Sequence, residues 1–256
     1  DIIQSQFGYA IDSNGSTVSI SAPYADGKGA VYLYDCSIDD SDFPILPYLG
    51  QVQLQDLEQD DLFGFSVAIG PARVLCGAPG SDLHGIDNGR LSVVNQSGIE
   101  PPANRSVGYD TATALDAFDG QIPSAIDIWN SRVVLGVPHA NNGYGLVQLV
   151  DNQNGTWNLE AELTEQSGSL PNMFGFSVSQ SGDLLAVGSP GSNGSGEVHV
   201  YDETDKGYVK LATIPAAANG DIAFGYSVDM YQGDPDSAYL VIGSTGVSLA
   251  SGQPTS

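Results

Sequence analysis

Histidines and adjacent carboxylates are the residue types in this chain that could support catalysis or bind a transition metal. His84 and His139 fall in equivalent loops of the sequence repeats described below, so they could approach each other. A zinc site needs a third ligand of suitable geometry, and the sequence marks none. His199 lies in an alternating strand pattern. Asp60 and Asp61 are neighbours that point apart on an extended segment, which makes them poor acid–base partners.

Other catalytic motifs are missing from the sequence. It has no nucleophile elbow, no phosphate-binding glycine loop and no Cys–His pairing, and its glycine-rich loops precede strands rather than helices. We therefore expect that the chain is not an enzyme.

Five asparagines fit the acceptor pattern for N-glycosylation. They are Asn14, Asn95, Asn104, Asn154 and Asn193. This number favours a secreted or cell-surface protein. The only two cysteines are Cys36 and Cys76, and one disulfide or two free thiols are equally consistent with that count.

The charge balance limits the classes of partner. The chain has 31 acidic and 7 basic residues, a formal net charge of −24. Nucleic acid is excluded because phosphate binding needs clustered Lys and Arg, and anionic lipid surfaces are disfavoured for the same reason. No stretch of roughly 18 apolar residues is present, so we expect no membrane insertion in this segment. Calcium, a basic partner and simple solubility all remain compatible with the charge.

A repeat of about 55 residues organises the whole sequence. A motif of the type Phe-Gly-x-Ser-Val begins at Phe7, Phe63, Phe174 and Phe224, and a weaker copy begins at Phe118. Each motif precedes an apolar run that ends, in the first four repeats, in a small residue and proline, as in Val74–Pro79. A Gly/Asn/Asp-rich loop and an alternating strand follow. A fourth strand precedes the next motif, as at Val52–Gln55 in the first repeat.

Four short strands per repeat, separated by turn residues, are typical of the blades of a β-propeller. The first two strands are almost continuously apolar, which predicts burial on both faces, while the third and fourth alternate. The sequence therefore predicts an all-β fold, a β-propeller of four-stranded blades. Residues 1–256 would form a single propeller domain or a propeller fragment, with repeats starting near residues 7, 63, 118, 174 and 224.

The motifs Phe-Gly-x-Ser-Val, Gly-Ala-Pro and Gly-x-Val-Tyr-x-Tyr together resemble the FG-GAP repeat, which occurs in the propeller of integrin α chains. The resemblance covers essentially the whole chain in four good copies and one degraded copy. The resemblance implies a seven-bladed ring, and this chain encodes fewer than five full blades in about five repeats. We therefore expect a fragment of a larger protein, the alternative being a small five-bladed ring.

Calcium binding is a further expectation from the resemblance, because integrin-like repeats hold this ion in the hairpin between the first two strands. Most hairpins here lack the carboxylates that would supply the oxygen ligands. The fifth repeat has a longer hairpin, in which Asp229, Asp234 and Asp236 could converge on Ca²⁺.

One loop face is the predicted binding surface. Most of the sequons fall in turns of the opposite face, so glycans would leave open the face formed by the loops between second and third strands and between blades. This face would carry Tyr24, Asp26, Asp60, Asp61, Asp82, His84, Asp87, His139 and Asn141. It resembles in position the ligand-binding face of the integrin propeller. A solvated acidic rim without a partner is the alternative.

These observations favour an extracellular binding or adhesion module that presents an acidic loop face to a protein or glycan. Two alternatives stay open, because one fold hosts many functions. The chain could be a structural glycoprotein subunit that contacts neighbouring subunits of an extracellular assembly or filament. It could also be a non-catalytic propeller attached to a hydrolase or lyase.

Overall fold

The computed structural model describes residues 2–37, 46–52, 54, 56–82, 89–95, 124–153, 156–165, 171–217, 222–234 and 237–245. The chain divides into two compact units, Asp1–Pro123 and Ser124–Ser256. In the described part, no helix has the length and apolar character needed to cross a membrane.

The first unit contains two antiparallel sheets, which we number as blades 1 and 2. A short helix, α1 (Ile2–Ser5), precedes them. Blade 1 consists of β1 (Ile11–Ser13), β2 (Thr17–Ala22), β3 (Ala30–Asp35) and β4 (Tyr48–Val52). The described strands of blade 2 are β5 (Ser66–Ile69), β6 (Arg73–Ala78) and β7 (Arg90–Asn95).

The second unit contains three antiparallel sheets, blades 3 to 5. Blade 3 consists of β8 (Ala125–Trp129), β9 (Arg132–Val137), β10 (Leu146–Gln153) and β11 (Thr156–Leu163), with helix α2 (Ala140–Gly143) between β9 and β10. Blade 4 consists of β12 (Ser177–Ser181), β13 (Leu184–Ser189), β14 (Glu197–Thr204) and β15 (Gly207–Pro215). The described strands of blade 5 are β16 (Ser227–Asp234) and β17 (Ser237–Gly243).

Every sheet is an antiparallel meander in chain order, which confirms the predicted all-β fold of propeller blades. One boundary was wrong. The fourth strand of blade 1 is Tyr48–Val52 rather than Val52–Gln55. Leu54, which suggested the later strand, instead follows β4 and is buried in the core cluster of this unit.

Burial follows the predicted gradient from first to fourth strand in blade 4, but not in blade 1, where every residue of β1 is exposed or half-buried. All residues of β5 and β12 are buried, whereas β15 is largely exposed. The core of the first unit is centred on Phe63, and that of the second unit on Phe174; both side chains are fully buried. The phenylalanine of the repeat is therefore the anchor of a blade in each unit.

The glycine immediately before the third strand of blades 1, 3 and 4 is required by the next blade. Gly29 forms a parallel bridge with Phe63, and Gly145 forms the same bridge with Phe174. A Cβ atom on Gly145 would lie 2.0 Å from the carbonyl oxygen of Phe174, so no side chain fits there. The glycine before the third strand of one blade thus contacts the repeat phenylalanine of the next blade, not the phenylalanine of its own blade.

The third repeat begins later than its best Phe-Gly copy suggested. Ala125 pairs with Gly136 in the way that Ser66 pairs with Gly77. Since Phe63 precedes Ser66 by three residues, its counterpart in the sequence of blade 3 is Ile122. Both Ile122 and the predicted Phe118 lie outside the described residues.

Candidate functional site

Three loops of the first unit are joined by backbone hydrogen bonds into one surface. They are the turn between β2 and β3, the segment that leads from blade 1 into blade 2, and the turn after β6. The amide of Asp60 donates to Gly27 O at 2.8 Å, and the amide of Gly80 donates to Asp61 O at 3.1 Å. A Cβ atom on Gly80 would lie 2.0 Å from Asp60 O, so the loops are in close contact.

Most of the predicted binding-face residues of this unit are exposed on these loops. Tyr24, Asp26, Asp60 and Asp82 are all exposed. We call these four residues the acidic loop surface. The nearby cations have partners within the unit, since Lys28 Nζ donates to Leu57 O at 2.6 Å.

Asp61 does not belong to this surface, contrary to the sequence-based expectation. Its side chain is buried, and its Oδ2 accepts the amide of Glu58 at 2.9 Å. Burial raises the pKa of the Asp61 carboxyl, although the hydrogen bond from the Glu58 amide acts in the opposite direction. Asp61 therefore closes a turn beneath the exposed carboxylates.

The corresponding loop of the second unit carries His139 and Asn141. Both residues are exposed, at and just after the start of α2, between β9 and β10. Gly143 O of this loop accepts the amide of Met173, which leads into blade 4. The loop is therefore built like that of the first unit, but its exposed residues are neutral or weakly basic rather than acidic.

Backbone conformation explains several Asp and Asn residues in these loops. Asp26, Asn142 and Asn193 each precede the third-strand glycine by three residues, and their φ angles are 51°, 60° and 49°. Asp and Asn adopt this left-handed conformation more readily than other non-glycine residues. These three positions are thus selected in part by the turn itself.

The structure places Asn14 in a different role from the predicted glycan acceptor. Its Oδ1 accepts the amides of Ser16 and Thr17 at 3.1 and 2.9 Å, and its Nδ2 donates to Gly70 O at 2.9 Å. This amide therefore closes the β1–β2 turn and ties blade 1 to blade 2. A glycan on Nδ2 would compete with the contact to Gly70.

Of the other sequons, Asn193 is exposed in the turn between β13 and β14, where its Nδ2 donates to Glu197 Oε1. Asn95 is the last residue of β7. Asn104 and Asn154 lie outside the described residues, as do the predicted face residues His84 and Asp87.

The predicted calcium site is not assembled by the fifth hairpin. Asp229 lies in the middle of β16 opposite Val241, whereas Asp234 pairs with Ser237 at the turn. The two residues stand five positions apart along β16, which is about 16 Å of strand, whereas Ca²⁺ binds its oxygen ligands at about 2.3–2.6 Å. Asp236 lies outside the described residues, and the described part of the chain has no group of three or more potential metal ligands.

Both cysteines are free thiols in the structure, so the alternative of a disulfide is not formed. Cys76 is fully buried in β6, and Cys36 follows β3. Burial raises the pKa of the Cys76 thiol, so this residue behaves as a small apolar side chain.

His199 is a core residue, as its place in an alternating strand indicated. Its ring is 1% exposed and packs edge-on against Phe174, with ring centroids 5.5 Å apart. Nδ1 lies 3.3 Å from Thr213 Oγ1, and Nε2 lies 3.9 Å from Glu197 Oε2. Burial lowers the pKa of His199, which favours the neutral imidazole.

Sequence reasoning missed a set of polar residues on the first strands. The carboxylates of Asp12 and Asp127 accept backbone amides of the following blade, as does the hydroxyl of Ser179. The three residues occupy one column when the repeats are aligned on their second strands. An alignment of the third repeat from Phe118 shifts Asp127 out of this column, so the sequence did not reveal it.

Residues 157–201 match the family model of the FG-GAP repeat, which confirms the resemblance for this segment. A comparison with curated proteins found no match.

Solved structures with similar folds are β-propellers. A chain of a mitotic checkpoint complex is 11% identical, with 92% of this chain and 59% of that chain covered and a TM-score of 0.52. A candidate 6-phosphogluconolactonase from Bacteroides fragilis is 14% identical, with 96% and 67% covered and a TM-score of 0.53. The present chain thus spans 59% and 67% of the length of these two structures, and the likeness shows the fold alone.

Proposed function

We propose that this propeller chain, which carries an FG-GAP repeat at residues 157–201, is a non-catalytic extracellular binding module whose acidic loop surface takes a basic protein partner. The observation that carries the proposal is the joining of three loops by the Asp60–Gly27 and Asp61–Gly80 backbone hydrogen bonds. Loops fixed in this way present their side chains in a defined arrangement, which lowers the entropic cost of binding.

The charges of the acidic loop surface support a cationic partner. Asp26, Asp60 and Asp82 are exposed, and the exposed ring of Tyr24 offers apolar contact area beside them. The basic side chains nearby are engaged within the unit: Lys28 bonds to Leu57 O, and Arg90 pairs with Asp56 at 2.8 Å. A chain of net charge −24 would also attract a basic partner over a distance, in a salt-dependent way.

Location outside the cell is supported by the five sequons and by the occurrence of FG-GAP repeats in cell-surface proteins. Asn193, the exposed sequon asparagine, is the site at which we expect a glycan.

The test is selection of a random peptide library displayed on phage against the full-length chain. We expect enrichment of Lys- and Arg-rich sequences, and binding of a synthetic enriched peptide should weaken in the double variant Asp26→Asn/Asp60→Asn. Asp205→Asn is the matched control, because this exposed residue lies in the β14–β15 turn of the other unit.

Loss of peptide binding in the double variant, but not in the control, would support the proposal. Enrichment of neutral or acidic sequences, no enrichment at all, or equal loss in the control would contradict it. If the chain bound glycans on an array but enriched no peptides, the proposal of a basic protein partner would be contradicted in favour of a glycan ligand.

A second candidate function, a structural subunit of an extracellular assembly, is favoured by a separate observation. The outward face of blade 5 is exposed on both strands, with Tyr239 and Val241 at 69% and 68%. Exposed apolar faces of this kind mark protein–protein interaction sites.

A further inference from the structure

Consecutive blades meet through the same side-chain-to-backbone hydrogen bond at three places. Positions are counted from the repeat phenylalanine, or from Ile122 in blade 3. In each pair, the side chain at position +5 of one blade accepts the backbone amide at position +6 of the next blade. The pairs are Asp12–Ile69 at 2.7 Å, Asp127–Gln180 at 2.6 Å and Ser179–Met230 at 3.0 Å. This hydrogen bond is therefore a recurring feature of the packing between consecutive blades.

Two further contacts accompany it. The aromatic residues two positions after the phenylalanine stack between blades, Tyr9 on Phe65 with centroids 5.0 Å apart and Phe176 on Tyr226 at 4.8 Å. Ser177 Oγ donates to Gly225 O at 2.9 Å. Together these contacts define what the first strand of an incoming blade must offer: an aromatic ring, a glycine carbonyl and a backbone amide.

Blade 5 carries the receiving groups, an aromatic ring, a serine hydroxyl and a carboxylate, on its outward face, which is exposed in the described part of its unit. We call Tyr226, Ser227, Asp229, Tyr239 and Val241 the trailing face. Ser227 and Asp229 are exposed and stand at the positions of Ser177 and Ser179. The backbone of Asp229 pairs with Val241, but its carboxylate has no hydrogen bond to a described residue.

The exposed apolar residues show that this face is built for burial. Val241 is 68% exposed, yet its counterparts Leu75, Val134 and Ala186 in the other blades are fully buried. Tyr226, which stacks on Phe176 on one side, is 41% exposed. In blades 2, 3 and 4 the position of Val241 lies in the interior.

Blade 1 has the complementary surface, and its side chains are partly exposed. We call Phe7, Tyr9 and Ile11 the leading face; they are 42%, 47% and 60% exposed. The equivalent phenylalanines of blades 2 and 4, Phe63 and Phe174, are 0% exposed. Each copy of the chain therefore offers both halves of a blade-to-blade interface.

We propose that the trailing face is a docking surface for the leading face of a second copy of this chain. On docking, Asp229 accepts the backbone amide of Ser13, which within its own chain donates to Asp12 Oδ1 at 2.7 Å. By the same correspondence, Ser227 Oγ donates to Gly8 O, and Tyr226 stacks on Tyr9 of the second copy. Because different surfaces of the two copies meet, the association is head-to-tail, which gives either a ring or an open chain of copies.

The net charge sets the conditions for this association. Two copies at −24 each repel one another, and salt screens that repulsion, so association strengthens as ionic strength rises. This dependence is the reverse of that expected for the basic partner of the acidic loop surface, so the two proposals succeed or fail separately.

Sedimentation equilibrium of the full chain at 0.15 and 0.5 M NaCl (roughly 8 Å and under 5 Å of screening length) measures the association. Val241→Lys should weaken it roughly tenfold or more, because a buried valine is replaced by a charge. Leu211→Lys is the matched control, since Leu211 is 58% exposed on β15, outside the trailing face. A monomer at all concentrations, or equal weakening in the control, would overturn the proposal.

Cysteine cross-linking identifies the register. In a Cys36→Ser background, Asp229→Cys and Ser13→Cys are placed on separate chains, which are mixed and oxidised. A covalent dimer that forms from the mixture, but from neither variant alone, supports the second copy as occupant. A disulfide that forms only within one chain carrying both substitutions, or no cross-link in either case, would overturn it.

Discussion

The carboxylate of Asp12 bridges two blades: its Oδ2 accepts the backbone amide of Ile69 at 2.7 Å, and its Oδ1 accepts the amide of Ser13 at 2.7 Å. Asp127 makes the same pair of contacts with Gln180 and Ile128. The first strand of each blade is an edge strand, so its outward amides have no neighbouring strand to pair with. A carboxylate at this column satisfies the amides of two blades at once.

Asp127→Ala should therefore destabilise the second unit. We expect the free energy of unfolding to fall by about 1–3 kcal/mol, because the amide of Gln180 loses a charged acceptor. Alanine itself suits the strand, since Ala68 occupies the same column in blade 2 and is fully buried there. Urea denaturation of Asp127→Ala and Asp127→Asn measures the effect.

Asp127→Asn keeps an acceptor oxygen and should recover part of the loss. Equal stability of Asp127→Ala and the wild type would contradict this prediction. It would show that the free energy gained from the inter-blade hydrogen bond only offsets the cost of desolvating the carboxylate.

The sequence was sufficient to predict the blades but not the contacts between them. Local pattern determines the strands, because the apolar second strands and the Phe-Gly motifs recur at a regular spacing. The three hydrogen bonds of the inter-blade column join residues 51 to 57 positions apart, as in Asp12 and Ile69. They become visible only in the correct register, which the weak copy at Phe118 concealed.

The candidate site was predicted in part for a similar reason. Tyr24, Asp26, Asp60 and Asp82 are exposed on the predicted loops, because turn chemistry places them there. Asp61 differs from its neighbour Asp60 only in the direction of its side chain, which is buried beneath the turn. Asp229 resembled a calcium ligand, but it lies in the middle of a strand in the inter-blade column.

Gly145→Ala should be severely destabilising. The Cβ atom would lie 2.0 Å from Phe174 O, and the φ angle of 78° is itself unfavourable for alanine. The bridge between blades 3 and 4 cannot form without a backbone shift, so we expect a loss of more than about 3 kcal/mol.

Gly207→Ala separates the two causes, because its φ angle is 98° but no atom lies within 4 Å of the added Cβ. It should cost only about 1–2 kcal/mol, from backbone strain alone. Thermal and urea unfolding of both variants measure the difference, and similar losses would contradict the steric account.

Phe174→Ala should cost about 3–5 kcal/mol, because a fully buried ring leaves a cavity in the core of the second unit. Phe7→Ala removes the same side chain at the equivalent position of blade 1, where it is 42% exposed. We expect less than half the effect for Phe7 in a dilute sample. Urea unfolding at low protein concentration is the measurement, and equal losses would mean that Phe7 is covered in solution.

Stability should depend on pH through His199. Burial lowers the pKa of its imidazole below the ordinary value of 6.5, while Glu165 and Glu197 act to raise it and Lys210 to lower it. The unfolded chain therefore binds a proton at a higher pH than the folded chain does. The contribution of His199 is complete above pH 6.5 and is lost as the pH falls from 6.5 toward the folded pKa.

The test compares the wild type with His199→Gln between pH 5 and 8 (the range in which an ordinary histidine, pKa about 6.5, changes charge). The variant removes the titrating group, so the difference in unfolding free energy between the two proteins should shrink as the pH falls through this window. Carboxylates such as Asp61 titrate equally in both proteins and cancel in the difference. A difference that is constant with pH would contradict a lowered folded pKa for His199. It would mean that the ring is more hydrated than its contacts with Phe174 and Thr213 indicate.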